Sequence, residues 1–203
     1  SWNYEVGTRL KFLNGRMTAE ADLFYIDWRH MQTTYTVPGV GNVIANAGHT
    51  DSKGFELSMA YHPIKSLQLT MNYGYTHARY LEYKKSANED FSGNRIPMVP
   101  NHTLSLDGTY TIMQAGWFDK VVFNTGLTGL GRIYWADDNI VRQNFYATLN
   151  AKVSITKGIV TWDLWGKNLT GTDYMAYGFK MSTGNYAQKV KPLSFGTSVS
   201  VTF

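Results

Sequence analysis

Cysteine is absent from the 203 residues, which excludes a disulfide framework and any thiolate metal site and leaves the redox compartment open. Charged residues are scarce at 17%, and the net charge of +4 is spread along the chain, so the footprint of a nucleic-acid partner is missing. No run approaches the ~18 consecutive apolar residues of a membrane-spanning helix. No stretch sustains a helical period. No export signal is visible, because Ser1-Trp2-Asn3-Tyr4 already reads as strand; if the protein is exported, its targeting segment is expected outside this chain. Nothing in the composition divides the chain, so one domain is expected.

What the chain has is aromatics, 15% of it with 14 Tyr and 6 Trp, set in alternating stretches. In the last of them Leu193, Phe195, Val199, Val201 and Phe203 fall on one side of an extended strand. Ser194, Gly196, Ser198, Ser200 and Thr202 fall on the other, and Thr197 breaks the apolar side. The same pattern recurs upstream. Tyr4, Val6, Thr8, Leu10 and Phe12 oppose Glu5, Arg9 and Lys11, and Asn14-Gly15 follows as a hairpin turn. Ala19, Ala21, Leu23 and Tyr25 oppose Glu20 and Asp22. Phe55, Leu57, Met59 and Tyr61 oppose Glu56 and Ser58, ahead of a short turn Pro63-Ile64-Lys65-Ser66. Leu67, Leu69, Met71, Tyr73 and Tyr75 oppose Gln68, Thr70 and Asn72. His102, Leu104, Leu106, Tyr110 and Ile112 oppose Ser105, Asp107 and Thr109, and Val121, Phe123, Thr125 and Leu127 oppose Lys120 and Asn124. A strand from Phe145 to Ile155 and one from Val160 to Leu164 precede the last. That makes about nine strands, most longer than the ~10 residues that cross a bilayer at a tilt. Short turns near 14, 64, 115 and 157 alternate with long polar loops near 40, 90, 138 and 183, so one rim is short and the other long.

Alternation alone leaves two readings open, since a soluble ligand-binding barrel also alternates with its apolar face inward. Three features favour lipid. The polar faces mix Ser, Thr, Asn, Asp, Glu, Lys and Arg, as suits a wet lumen. The apolar faces are almost free of charge, which at the bilayer midplane costs ~2–4 kcal/mol per Arg or Lys. Tyr25, Trp28, Tyr61, Tyr73, Tyr75, Tyr110 and Trp162 gather near strand ends, where amphipathic rings suit a headgroup belt. The mean hydropathy of −0.29 fits, because alternating strands average low. The expected fold is all-β: an antiparallel transmembrane outer-membrane β-barrel. An odd number of antiparallel strands does not close without one parallel pair, so these nine are expected to be the last part of a larger barrel. A small self-closing outer-membrane barrel, adhesin or enzyme, remains the alternative beside the soluble one.

Several stretches together resemble the barrel of TonB-dependent outer-membrane receptors. They are Asn46-Ala47-Gly48, Lys53-Gly54-Phe55-Glu56-Leu57, Tyr73-Gly74-Tyr75-Thr76-His77-Ala78, Gly93-Asn94-Arg95-Ile96-Pro97 with Val99-Pro100-Asn101-His102, and Trp165-Gly166-Lys167-Asn168-Leu169-Thr170 with Asp173-Tyr174. Their order and spacing carry the resemblance, which is strongest to Bacteroidetes-type versions. It implies a barrel of 22 strands with a plugged lumen. Residues 1–203 would be its C-terminal portion, with the plug and the earlier strands absent. It also implies a bacterial outer-membrane location among lipid and lipopolysaccharide, with TonB acting through the missing plug. Energised uptake of a scarce small-molecule nutrient follows: a ferric siderophore or similar iron complex first, with haem, cobalamin or glycan as the other options. Phe203 matches the family's closing residue, which implies recognition by the barrel assembly machinery.

No residue constellation points to catalysis, a metal or a cofactor, and the expectation is a protein without enzymatic chemistry. His49, His77 and His102 each lack a second ligand at metal spacing. Gly126-Leu127-Thr128-Gly129-Leu130-Gly131 has the wrong glycine order for a nucleotide loop and reads as strand glycines. His49-Thr50-Asp51 has no activated serine to partner it. Arg95, Tyr134, Trp135, Asp137 and Asp138, in or beside the long loops, are the expected substrate contacts, because such loops meet the substrate first in this family.

Overall fold

The computed structural model describes residues 1–37, 39–46, 48–86, 88–181 and 183–203. Pro38, Ala87 and Ser182 of the long polar stretches, and Ala47 of the family-like segment, lie outside the described residues. Among those described, nine strands form one sheet whose order is the chain order. They are β1 (Trp2–Phe12), β2 (Met17–Arg29), β3 (His49–Ile64), β4 (Leu67–Glu82), β5 (His102–Ala115), β6 (Phe118–Leu130), β7 (Tyr146–Lys157), β8 (Val160–Lys167) and β9 (Ser194–Val201). Every neighbouring pair is antiparallel. Neither β1 nor β9 has a neighbour on its outer edge among the described residues, so the sheet is open.

The turns follow local chemistry. After β1 the chain reverses through Leu13–Gly15, where Leu13, Asn14 and Gly15 take φ of 52°, 54° and 80°. Asn and Gly tolerate that left-handed region at little cost, which is why the Asn14-Gly15 pair marks a turn. The strand before the next turn runs through Ile64, further than its proline suggests, with a shift in pairing between Tyr61 and Ile64. Tyr146 opens the seventh strand, one residue after Phe145, and the last strand stops at Val201. The larger correction concerns the long loops. Each folds part of itself into a two-stranded hairpin: Gln32–Val37 with Gly41–Asn46, Lys84–Ser86 with Glu89–Asp90, Ile133–Tyr134 with Arg142–Gln143, and Met175–Met181 with Gly184–Lys189. Strands this short, with mixed polar sequence, carry no readable alternation.

The register lines up the apolar side chains across strands. Leu10, Ala19, Met59, Met71, Leu106, Leu127 and Leu149 are successive cross-strand partners from β1 to β7. The opposite face carries Ser58 donating to Asn72 at 2.9 Å, Thr109 donating to Asn124 at 3.0 Å, and the Arg9–Glu20 pair. Trp165 is an aromatic on this polar face, and Gly196 across from it leaves room for its ring. No second layer covers either face among the described residues. Large apolar side chains of the apolar face stand open: Val6, Leu23, Phe195 and Val199 are each more than half exposed. A soluble domain would bury that face against something. The buried apolar residues are few and mostly lie elsewhere. Ala78, Tyr80, Tyr83, Ile133 and Val141 sit at the long-loop end, and Val121 alone near the short turns.

Candidate functional site

The 16 residues of β3 and of β4 exceed the ~10 that a tilted strand needs to cross a bilayer, so their upper ends stand clear of it. Segment 94–96 extends the sheet there. Tyr80 N–H donates to the Asn94 carbonyl at 2.9 Å, Ile96 N–H to the Ala78 carbonyl at 3.2 Å, and Arg95 stands opposite Arg79. Alternation then separates the two sides. Tyr80 and Asn94 face the polar side, while Arg79 and Arg95 face the apolar side, above its aromatic rows.

On the polar side the loop before β5 is clamped to the loop after β6. Tyr80 is 3% exposed and its hydroxyl donates to Asp137 Oδ1 at 2.8 Å. Asn94 Nδ2 donates to the Asp137 carbonyl at 2.8 Å. Asn139 Oδ1 accepts from Arg95 N–H at 2.7 Å, and its Nδ2 returns a bond to the Arg95 carbonyl at 2.9 Å. Backbone bonds from Met98 to Tyr134 and from Asn101 to Arg132, at 2.8 and 3.1 Å, complete the clamp. Beneath it Tyr80, Tyr83 and Phe91 meet as tilted rings at separations of 4.7 and 5.6 Å, with Met31 and Ile96 packed on them. Burial draws the Arg95 guanidinium below its ordinary pKa, against the opposing pull of Tyr75 and Tyr134. Hydrogen bonds from Ser92, side chain first and backbone second, hold the Asp90 carboxyl below the usual range.

A second aromatic group joins the last long loop to this clamp. Trp135 meets Tyr177 edge-on at 5.6 Å, and Tyr177, Phe179 and Tyr186 continue as a stacked ladder at 6.0 and 5.6 Å. Gly178 makes this possible, since a side chain there would strike the Trp135 ring. The Trp135 indole N–H is buried and meets no acceptor among the described residues. At the loop's root Asn168, with φ of 50° and 6% exposed, accepts from Thr172 N–H at 3.0 Å and donates to the Thr172 carbonyl at 2.9 Å. The Gly166–Thr170 stretch is therefore a built turn.

The structure thus gathers Arg95, Tyr134, Trp135 and Asp137 into one framework. Asp138 turns its carboxylate onto Ile140 N–H at 3.0 Å. Arg95 contributes its backbone to the clamp and points its side chain to the apolar side, where Nη2 donates to the Thr76 carbonyl at 2.8 Å. Tyr80, Asn94, Asn139 and the Tyr177–Phe179–Tyr186 ladder escaped sequence reasoning. The one available signal was Tyr80 itself, a large aromatic at a polar-face position. The histidines take other roles: His49 pairs with Asp27, and Tyr73 and His102 share a hydrogen bond of 2.8 Å. Below the loops the polar face forms a hollow of about 590 Å³ lined by Asp107, Asn124, Asn150, Lys152, Trp165 and Lys167.

A single antiparallel sheet with an oily outside, a polar inside, short turns on one rim and a thick loop layer on the other is a section of outer-membrane barrel wall. The chain belongs to the family of TonB dependent receptor-like β-barrels, whose model matches residues 1–169. It is therefore an outer-membrane protein of a Gram-negative bacterium, in a family of transport receptors. It is 25% identical to the pesticin receptor of Yersinia pestis over 206 residues, covering 100% of this chain and 29% of that protein. It is 28% identical to a TonB-dependent receptor of Haemophilus influenzae, covering 93% of this chain and 54% of the relative. The crystal structure of the ferric yersiniabactin uptake receptor FyuA from Yersinia pestis superposes with a TM-score of 0.84 at 23% identity, over 99% of this chain and 29% of FyuA. The siderophore receptor PiuA from Acinetobacter baumannii does so at 0.74 and 18%, over 97% and 27%. The resemblance to Bacteroidetes-type versions is thus joined by relatives from Yersinia, Haemophilus and Acinetobacter.

Proposed function

We propose that residues 1–203 form the C-terminal portion of a 22-stranded barrel with a plugged lumen, and that the whole receptor imports a ferric siderophore or similar iron complex. The observation that carries this is the open nine-stranded wall, whose two bare edges call for further strands of the same barrel. The ligands of the structural neighbours, ferric yersiniabactin above all, direct the choice toward iron complexes. The ligand is caught first by the loop layer, then passes when TonB rearranges the plug. Tyr134, Trp135, Asp137 and Asp138 hold the loops in which capture occurs, and the exposed rings of Tyr177, Phe179 and Tyr186 offer planar surfaces to a flat conjugated ligand. Arg95 acts from the same clamp. Lipopolysaccharide surrounds the outer half of the wall. The chain's own residues perform no bond-making chemistry in this scheme.

The test is uptake of radio-iron presented as ferric siderophores by cells with and without the full-length receptor, in backgrounds with and without TonB. Uptake that depends on both genes is the expected result. Uptake unchanged by loss of the receptor across a panel of siderophore classes would remove the iron reading.

A further inference from the structure

The polar face changes sign across the sheet. On β1 to β3 Glu5, Glu20, Asp22 and Glu56 outnumber Arg9 and Lys11. On β6 to β8 the balance reverses: Lys120, Lys152 and Lys167 stand against Asp163, whose carboxylate is turned to Ser198 of β9 at 3.5 Å. Register puts the three lysines at three heights. Lys167 lies at the upper end of β8, two residues above Trp165, whose cross-strand partner is Lys152. Lys152 pairs in turn with Asn124, four residues above Lys120 at the short-turn end of β6. At about 3.4 Å per residue the steps along the wall are about 7 and about 14 Å. All three side chains are exposed, and none has an ion-pair partner among the described residues. Lys167 lies over the Trp165 ring at 5.4 Å.

Between the lysines the polar face carries chiefly neutral hydrogen-bonding groups, among them Asn124, Asn150, Ser154 and Thr156. The hollow of about 590 Å³ has Lys152 and Lys167 in its lining. Lys167 directly precedes Asn168, the root of the last long loop, so the series starts under the capture layer and ends near the short turns. Spaced cations on a wet, neutral wall suit the passage of an anion: each attracts the charge, and none holds it tightly enough to stop it. A face built to hold the plug would add apolar contact, and at mid-wall this strip offers little beyond Val122 and Trp165. We propose that Lys120, Lys152 and Lys167 form an anion-conducting stripe on the lumen wall, along which a net-negative ferric complex passes between wall and plug. This rests on the uptake reading and deepens it: the cargo gains a charge, and its path gains a side of the barrel.

The experiment offers cells carrying the full-length receptor a panel of radio-iron complexes sorted by charge. Ferric tris-catecholate and ferric citrate serve as anionic probes, and ferric tris-hydroxamate as the uncharged one. Retention at the cell surface without TonB reads capture, and the initial rate of uptake with TonB reads passage. For the anionic complex that the wild type imports, Lys120→Gln and Lys152→Gln should each slow uptake about fivefold and the double variant about 25-fold, with retention unchanged. Lys152→Arg should keep the wild-type rate. Lys167 is left in place, because it lies over Trp165 beside the Asn168 turn. Lys157→Gln, on the outward side of the short-turn rim, should change nothing. Resistance of the plug to trypsin, read on the folded, heat-modifiable receptor, should match wild type in every variant. If the double variant fails to fold, Lys152→Gln alone decides, since its side chain is exposed. Wild-type uptake in the variants would overturn the stripe. A loss of retention equal to the loss of uptake would overturn it too, by moving the lysines into the capture site. A plug opened to trypsin would do the same, by making them docking contacts. Wild-type uptake confined to uncharged complexes would overturn the charge assigned to the cargo. A wild-type receptor that imports no member of the panel would instead overturn the uptake reading beneath the proposal.

Discussion

Asp137 and Tyr80 show how single residues hold the loop layer. The Tyr80 hydroxyl is buried and its one acceptor among the described residues is the Asp137 carboxylate. Asp137→Ala leaves that donor unsatisfied, at about 1–3 kcal/mol. Amide exchange at Asn94 and Ile96 should then accelerate by roughly five- to 150-fold, in step with the lost free energy. Unaltered protection would show that the clamp stands without the carboxylate. Gly178 is the counterpart on the last loop. Gly178→Val pushes a side chain into the Trp135 indole, and the expected outcome is a changed tryptophan emission with weaker binding of the proposed iron complex. Position in a long loop was enough to nominate Trp135 and Asp137 from the sequence. Tyr80 and Asn139 were not legible, because their partners lie 57 and 44 residues away.

At the scale of the strand, the alternation has a directional test. Leu69→Arg places a charge on the lipid-facing side, in the row next to Met71, and costs about 2–4 kcal/mol near the midplane. Asn72→Arg puts the same charge on the wet side and should be tolerated. Leu149→Arg belongs with Leu69→Arg, and the yield of folded, heat-modifiable receptor in the outer membrane reads all of them. Asn150→Arg is a weaker control, since Asn150 Oδ1 accepts from the backbone of buried Asn168 at 3.0 Å. Equal yields on both faces would contradict the assignment of the apolar face to lipid. The nine strands were readable because each repeats its period over eight residues or more. The loop hairpins, some only two residues long, were not.

At the scale of the molecule, the sheet has two edges and one layer. Each bare edge presents unpaired N–H and C=O groups, and in hydrocarbon every such group costs several kcal/mol. Residues 1–203 expressed alone are therefore expected to yield no heat-modifiable monomer in detergent or in lipid, whereas the full-length receptor should. A folded monomeric fragment would contradict the larger barrel. The odd strand count already pointed to incompleteness, and the open strand order agrees.

The sequence by itself determined the strands, their two faces and the two unequal rims, because side-chain period and turn chemistry are properties of neighbouring residues. Tertiary structure alone decided which loops clasp each other, which side Arg95 faces and that Leu127 lies between Leu106 and Leu149. Those facts depend on register between strands, and register emerges only when distant segments pair.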